Sequence, residues 1–178
     1  MNICVFCGSS TGFNSVYADA ARELGHLLAT QGHTLVYGGG NIGLMGIVAD
    51  AVLEKKGRVI GVIPDFLMQK EVGHRGLTEL EIVPSMHERK KRMADLSDSF
   101  IAMPGGWGTL DETAEILTWK QLGLIQQSVG ILNVNGFFDT LLLQMNLMVQ
   151  EGFLNPSNLQ FVQVSSSPKQ LLSQLLPQ

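Results

Sequence analysis

Short apolar runs recur along the whole chain, and helix-length segments separate them. The runs are Ile3–Cys7, Thr34–Tyr37, Val59–Ile63, Leu80–Val83, Phe100–Met103, Val129–Asn133 and, more weakly patterned, Gln160–Val164. Most are short and almost continuously apolar, the pattern of a strand buried on both faces, whereas Leu80–Val83 and Gln160–Val164 are interrupted by Glu81 and Gln163. Helical spacing falls between them, near Ser15–Thr30, Leu44–Glu54, Met86–Leu96, Leu110–Leu122, Phe137–Gln150 and Lys169–Leu175. Strands that alternate with helices imply right-handed crossovers and a mostly parallel sheet covered on both sides. The expected fold is α/β: a Rossmann-like, doubly wound sheet of about seven strands. No repeat, low-complexity tract or linker interrupts the pattern, so one nucleotide-binding catalytic domain over residues 1–178 is expected.

In such sheets ligands bind beyond the carboxyl ends of the strands. Three glycine-bearing loops fall there: Gly8-Ser9-Ser10, Gly38-Gly39-Gly40 and Pro104–Gly108. Glycine after strand after strand favours a nucleotide-sized site over one made by a single loop.

Composition narrows the class. Hydrophobic residues make up 45% of the chain and charged residues only 16%, against about 25% charged in an average domain. Sparse charge leaves less polar surface to cover the fold, which points to a face buried between subunits and to a homodimer or higher homo-oligomer. The net charge of -4 argues against a nucleic-acid partner, which usually meets a basic face. No apolar run reaches the roughly 18 residues that a membrane span needs, and Met1-Asn2-Ile3 lacks the basic start of a signal peptide. A cytoplasmic protein with no membrane partner is expected.

Pro104-Gly105-Gly106-Trp107-Gly108-Thr109-Leu110-Asp111-Glu112 is the most informative stretch. It joins a buried strand to a helix, and its three glycines let backbone amides approach an anion at the helix N-terminus. Glu112 would lie one turn inside the helix, beside that anion. Thr109-Leu110-Asp111-Glu112 also fits a capping box, in which hydroxyl and carboxylate satisfy orphan amides, so catalysis and capping both stand. Asp111 and Glu112 would each complement the helix dipole.

Ser85–Met93 carries a charge run. Lys91 and Arg92 read as a solvated face, whereas Arg89 and Lys90 follow Met86 by a helical turn, on the face that Met86 and Met93 define. A cation among apolar neighbours needs an anionic partner, either a carboxylate or a phosphate. Gly38-Gly39-Gly40-Asn41-Ile42-Gly43 matches G-x-G-x-x-G, but the acidic residue nearest the ribose position, Asp65, follows Pro64 and comes late. A tight turn packing helix on sheet, with contact to a mononucleotide at most, explains that lone match better than NAD does. Cys4 and Cys7 are three apart in a strand, so they face opposite ways and read as buried, inert thiols. His26, His33, His74 and His87 are scattered, with no metal-ligand spacing. No metal is expected, and no cofactor.

Together these residues resemble the LONELY GUY family, the cytokinin riboside 5'-monophosphate phosphoribohydrolases. The family's signatures P-G-G-x-G-T-x-x-E and M-H-x-R-K stand here as Pro104–Glu112 and Met86–Lys90, and Cys7–Ser10 and Tyr37–Gly40 are similar too. The resemblance implies hydrolysis of the N-glycosidic bond of an N6-modified adenosine 5'-monophosphate to free base and ribose 5-phosphate. It implies Arg89 and Glu112 as catalytic. Its substrate contacts are Lys90, Gly105, Gly106, Trp107, Gly108, Thr109, Leu110 and Asp111, with Glu71 and Thr118 as weaker matches. Gly8, Ser9 and Gly40 join them from the strand-end loops. Family members form dimers or larger oligomers, with sites near the subunit contact. Trp107 and Asp111 stand at variable or conservatively exchanged positions, which leaves the released base open between plain adenine and an N6-modified one.

The residues suit that chemistry on their own terms. Breaking a ribosyl C–N bond builds oxocarbenium-like charge on the sugar. Glu112 would stabilise that charge and activate water, while Arg89 holds the carboxylate or binds a substrate oxygen. Three other readings compete: a non-catalytic nucleotide carrier using the same rim, an NAD-dependent enzyme, and a pyridoxal-phosphate lysine decarboxylase, a label often attached to such relatives. The last lacks a lysine in a recognisable cofactor setting.

Overall fold

The computed structural model describes residues 1–68 and 73–175. Seven parallel strands form one sheet: β1 (Asn2–Phe6), β2 (Thr34–Tyr37), β3 (Arg58–Pro64), β4 (Glu79–Val83), β5 (Ser99–Ala102), β6 (Ser128–Leu132) and β7 (Val162–Ser165). Their order across the sheet is β4-β3-β2-β1-β5-β6-β7. The chain winds outward from β1 through β4, then returns to pair β5 with the free side of β1, Ile3 opposite Ser99 and Phe6 opposite Ala102. This reversal between β1 and β5 opens a crevice at their carboxyl ends, where a doubly wound sheet binds its ligand.

Side-chain alternation on β1 sorts the two faces. Ile3, Val5 and Cys7 pack with α1 (Val16–Thr30), α2 (Gly43–Glu54) and α8 (Pro168–Leu175). Cys4 and Phe6 pack on the opposite face with Met93 and Ala94 of α4 (Met86–Asp95) and Ile116 of α5 (Trp107–Gln121). Cys4 and Cys7 are therefore buried, free and on opposite faces. Burial raises both thiols well above the ordinary range, as an inert role requires.

The strand and helix pattern matches the expectation with three differences. Two four-residue helices, α3 (Asp65–Met68) and α7 (Pro156–Leu159), are too short to show a helical period. Pro156 and the Asn155 side chain, which accepts from the Ser157 amide at 3.0 Å, start α7, and the last strand consequently begins at Val162 rather than Gln160. The helix expected from Phe137 is preceded by a 3₁₀ turn at Val134–Gly136 and runs as α6 (Asp139–Gln150).

Candidate active site

The crevice between β1 and β5 is a cleft of about 350 Å³. Gly8 and Ser9 enter it from the loop after β1, Gly38 and Gly40 from the loop after β2, and Gly106, Trp107, Gly108 and Thr109 from the start of α5. The loops are stitched together: the Gly8 amide donates to Pro104 O at 3.0 Å, and the Leu44 amide donates to Gly8 O at 3.0 Å. A side chain on Gly105 would meet the Thr109 hydroxyl at 2.2 Å and the Gly8 amide nitrogen at 2.8 Å, so Gly105 is what allows the two loops to touch.

Helix α5 begins at Trp107 with Gly106 as its N-cap and no side-chain cap. The capping box at Thr109–Glu112 is therefore a misreading. Thr109 is buried in the first turn, its hydroxyl turned back against Gly105, and Glu112 lies beyond the reach of an N-cap amide. A side-chain cap does occur one helix earlier, where the Ser85 hydroxyl accepts from the Glu88 amide at 3.2 Å and starts α4. At α5 the amides of Trp107, Gly108 and Thr109 have no acceptor inside the helix, and the three residues line the cleft, an arrangement that favours an anion.

Arg89 and Glu112 meet at the cleft wall. Arg89, on the buried side of α4, donates from Nε to Val62 O at 3.1 Å and from Nη2 to Gly38 O at 3.2 Å. Its Nη1 lies 3.7 Å from Glu112 Oε1, and both side chains are about one-tenth exposed. That separation is an ion pair without a hydrogen bond. Burial pushes the Glu112 carboxyl up to about 7, and Arg89 only partly offsets it. A carboxyl poised near neutrality at the rim of an anion cradle is suited to acid–base work.

The remaining expected site residues separate into groups. Gly8, Ser9, Gly40, Gly106, Trp107, Gly108 and Thr109 line the cleft with Arg89 and Glu112, while Gly105 lies just behind it. Lys90 does not: its ammonium donates to Asp111 Oδ2 at 3.1 Å and pairs with Glu115 Oε2 at 3.1 Å, bracing α4 against α5. Burial opposes the Lys90 charge, but the two carboxylates outweigh it and raise its pKa. Leu110 and Thr118 face a separate apolar cavity between α5, α6 and α7, and the Thr118 hydroxyl donates to Ala114 O at 2.8 Å. Glu71 lies outside the described residues. Sequence reasoning passed over Val62, Met45 and Leu67, whose apolar pattern reads only as core; Val62 anchors Arg89, and Met45 and Leu67 line the cleft.

The G-x-G-x-x-G run follows β2, whereas the reversal lies between β1 and β5. Gly43 has φ +61 and sits against Ser9 C, which an added Cβ would meet at 2.2 Å. The run thus serves packing, here of loop on loop rather than of helix on sheet as its alternative reading held.

A family profile described as "possible lysine decarboxylase" matches residues 45–175. A cytokinin riboside 5'-monophosphate phosphoribohydrolase from Arabidopsis thaliana is 47% identical over 173 residues, 97% of this chain and 80% of that one. The chain belongs to the LONELY GUY family. A protein of Oryza sativa subsp. japonica, named a probable enzyme of the same type, is also 47% identical over 97% of this chain and 71% of its own. Among solved structures, a molybdenum cofactor binding protein from Rippkaea orientalis superposes with a TM-score of 0.73 at 24% identity, covering 97% of this chain and 93% of that one. That likeness concerns the fold alone.

The profile's description implies pyridoxal phosphate held on a lysine. The described residues do not fit it: no lysine lines the cleft, and Lys90 is committed to Asp111 and Glu115. The LONELY GUY motifs instead supply what the cleft contains, a carboxyl, a guanidinium and an amide-lined helix start.

Proposed function

We propose that this protein is a nucleoside 5'-monophosphate phosphoribohydrolase acting on adenosine 5'-monophosphate or its N6-modified, cytokinin-type derivatives. It works as one catalytic domain and needs no metal or cofactor. The observation that carries the reading is the pairing of Glu112 and Arg89 on the wall of the amide-lined cleft, with the carboxyl near 7 and out of hydrogen-bond range of the guanidinium. A purely binding module gains nothing from a buried carboxylate beside a phosphate cradle, because the two repel.

In this reading the 5'-phosphate sits on the Gly106, Trp107 and Gly108 amides, where the helix dipole and orphan donors meet it. The ribose then lies over Glu112. As the C1'–N9 bond lengthens, its electron pair leaves with the base and C1' becomes cationic. Ionised Glu112 stabilises that cation and takes a proton from the attacking water. Oxygen from water ends on C1' of ribose 5-phosphate, and the proton that Glu112 takes from that water balances the one gained by the departing base, so that one water is added across C1'–N9. Arg89 keeps a positive charge facing the carboxylate and the substrate oxygens throughout.

The apolar face of α6 supports a homodimer or higher homo-oligomer. On α6 and its flanks Leu143, Leu147 and Phe153 are exposed, and no charged residue occurs from Thr140 to Gln150. We infer that a second copy covers this face, beside Leu110 and Thr118, and that the protein acts in the cytoplasm on a small-molecule substrate. Among the described residues no helix is long and apolar enough to cross a membrane.

The deciding experiment incubates the protein with AMP and with N6-isopentenyladenosine monophosphate. Free base plus ribose 5-phosphate is expected, with the corresponding ribosides left uncut. No product from a panel of nucleoside monophosphates would overturn the reading in favour of a carrier.

A further inference from the structure

We propose that Gly38 is a positioning residue, whose missing side chain creates the seat in which the Arg89 guanidinium is held at the cleft. The proposal rests on the reading of Arg89 and Glu112 given above, and it gives the Gly38-Gly39-Gly40 run a task that tight turning does not explain.

The three glycines differ in what they exclude. Gly39 has φ +71 and lies against Ile63 and Leu80, so its constraint is conformational and packing-related. Gly38 has no left-handed φ, and an alanine there is compatible with the backbone. Yet an added Cβ would lie 1.7 Å from Arg89 Nη2, 2.8 Å from Cζ and 3.3 Å from Nε. All three nearest atoms belong to Arg89. The methyl group of alanine therefore conflicts first with this one side chain.

The seat also fixes direction. A guanidinium has five donors in a rigid plane. Nε is held by Val62 O and Nη2 by Gly38 O, carbonyls from the ends of two neighbouring strand segments. One edge of the plane is thereby docked on backbone, and Nη1, which also donates to Met86 Sδ at 3.8 Å, faces Glu112 Oε1 at 3.7 Å. Docked this way, the guanidinium cannot close on the carboxylate as a two-toothed pair. The carboxylate keeps a nearby positive charge while its oxygens stay available to substrate and water. Moving a catalytic group by about 1 Å can cost about 10²-fold in rate, and a Cβ at Gly38 demands at least that displacement.

The test is Gly38→Ala, read in two ways. The first needs no activity: the Arg89 side-chain Nε–H resonance, assigned by its disappearance in Arg89→Met, is expected to shift or broaden in Gly38→Ala, while that of Arg58 stays in place. The second is kinetic: kcat is expected to fall about 10²-fold with a smaller change in KM, and the double variant is expected to turn over at the rate of Arg89→Met alone. An unmoved Arg89 resonance, a wild-type kcat, or losses that simply multiply in the double variant would each overturn the proposal. If wild-type protein releases no base from any nucleotide, the reading of the reaction fails, and the resonance still decides whether Gly38 seats Arg89.

Discussion

Replacing Glu112 by Gln separates what this carboxyl does for the reaction from what it costs the fold. The side chain is buried and its carboxyl is pushed from an ordinary 4.5 to about 7, chiefly by burial. Between those two values the folded protein holds a proton that the unfolded chain has released. Stability therefore falls as pH rises, and the loss is complete once pH exceeds about 7. At about 1.4 kcal/mol per pH unit the full effect is about 3 kcal/mol. Gln has nearly the same shape and never ionises. Glu112→Gln is thus expected to match wild type near pH 4.5 and to exceed it by about 3 kcal/mol at pH 8, a rise in Tm of roughly 6–12 °C for a chain of this size. Turnover should move the other way, with kcat lower by about 10²–10⁴. In wild type kcat/KM should rise through a midpoint near pH 7, and that limb should vanish in the variant. Urea or thermal unfolding at both pH values and an AMP hydrolysis assay measure both sides. A stability difference that is the same at pH 4.5 and pH 8 would refute the burial argument. Near wild-type turnover in a folded variant would remove Glu112 from the chemistry.

Three further outcomes follow from particular contacts. Arg89→Met should lower kcat by about 10² or more; because Arg89 holds the Glu112 carboxyl down, any residual acid limb should move to higher pH, and a limb at lower pH would contradict the ion pair. Gly43→Ala forces a φ of +61 on alanine and drives a Cβ into Ser9, so urea titration should show a loss of roughly 1–3 kcal/mol or more. Leu147→Asp on the uncharged face of α6 should yield monomers in sedimentation while the wild type sediments as an oligomer; a wild-type monomer would exclude that interface.

The elements were legible because their signal is local. Continuous apolar runs such as Val59–Ile63 and Phe100–Met103 belong to strands buried on both faces, and the intervening segments are long enough to show a helical period. What escaped was short or displaced by neighbours. α3 and α7 have four residues each, less than the span over which a period can be counted. The site was half legible. Arg89 stood out as a cation on an apolar face, and it is buried at the cleft. Thr109–Glu112 had the spacing of a helix cap, and Gly106 takes that position because Thr109 packs back on Gly105. Lys90 adjoins Arg89 in sequence, but one residue along a helix turns a side chain by about 100°, which aims it at Asp111 and Glu115.

Fold class, strand order of appearance, the glycine loops and the two signature motifs were all present in the order of residues, because each depends on neighbours within a few positions. The distance between Arg89 and Glu112, the Val62 and Gly38 carbonyls that hold the guanidinium, and the burial that lifts Glu112 depend on residues far apart in the chain. Those contacts exist only once β1 and β5 lie side by side. Spacing along the chain allowed Glu112 to be a cap or a catalyst; the tertiary structure removed the cap, since a buried carboxyl 3.7 Å from a docked guanidinium has no helix amide to satisfy.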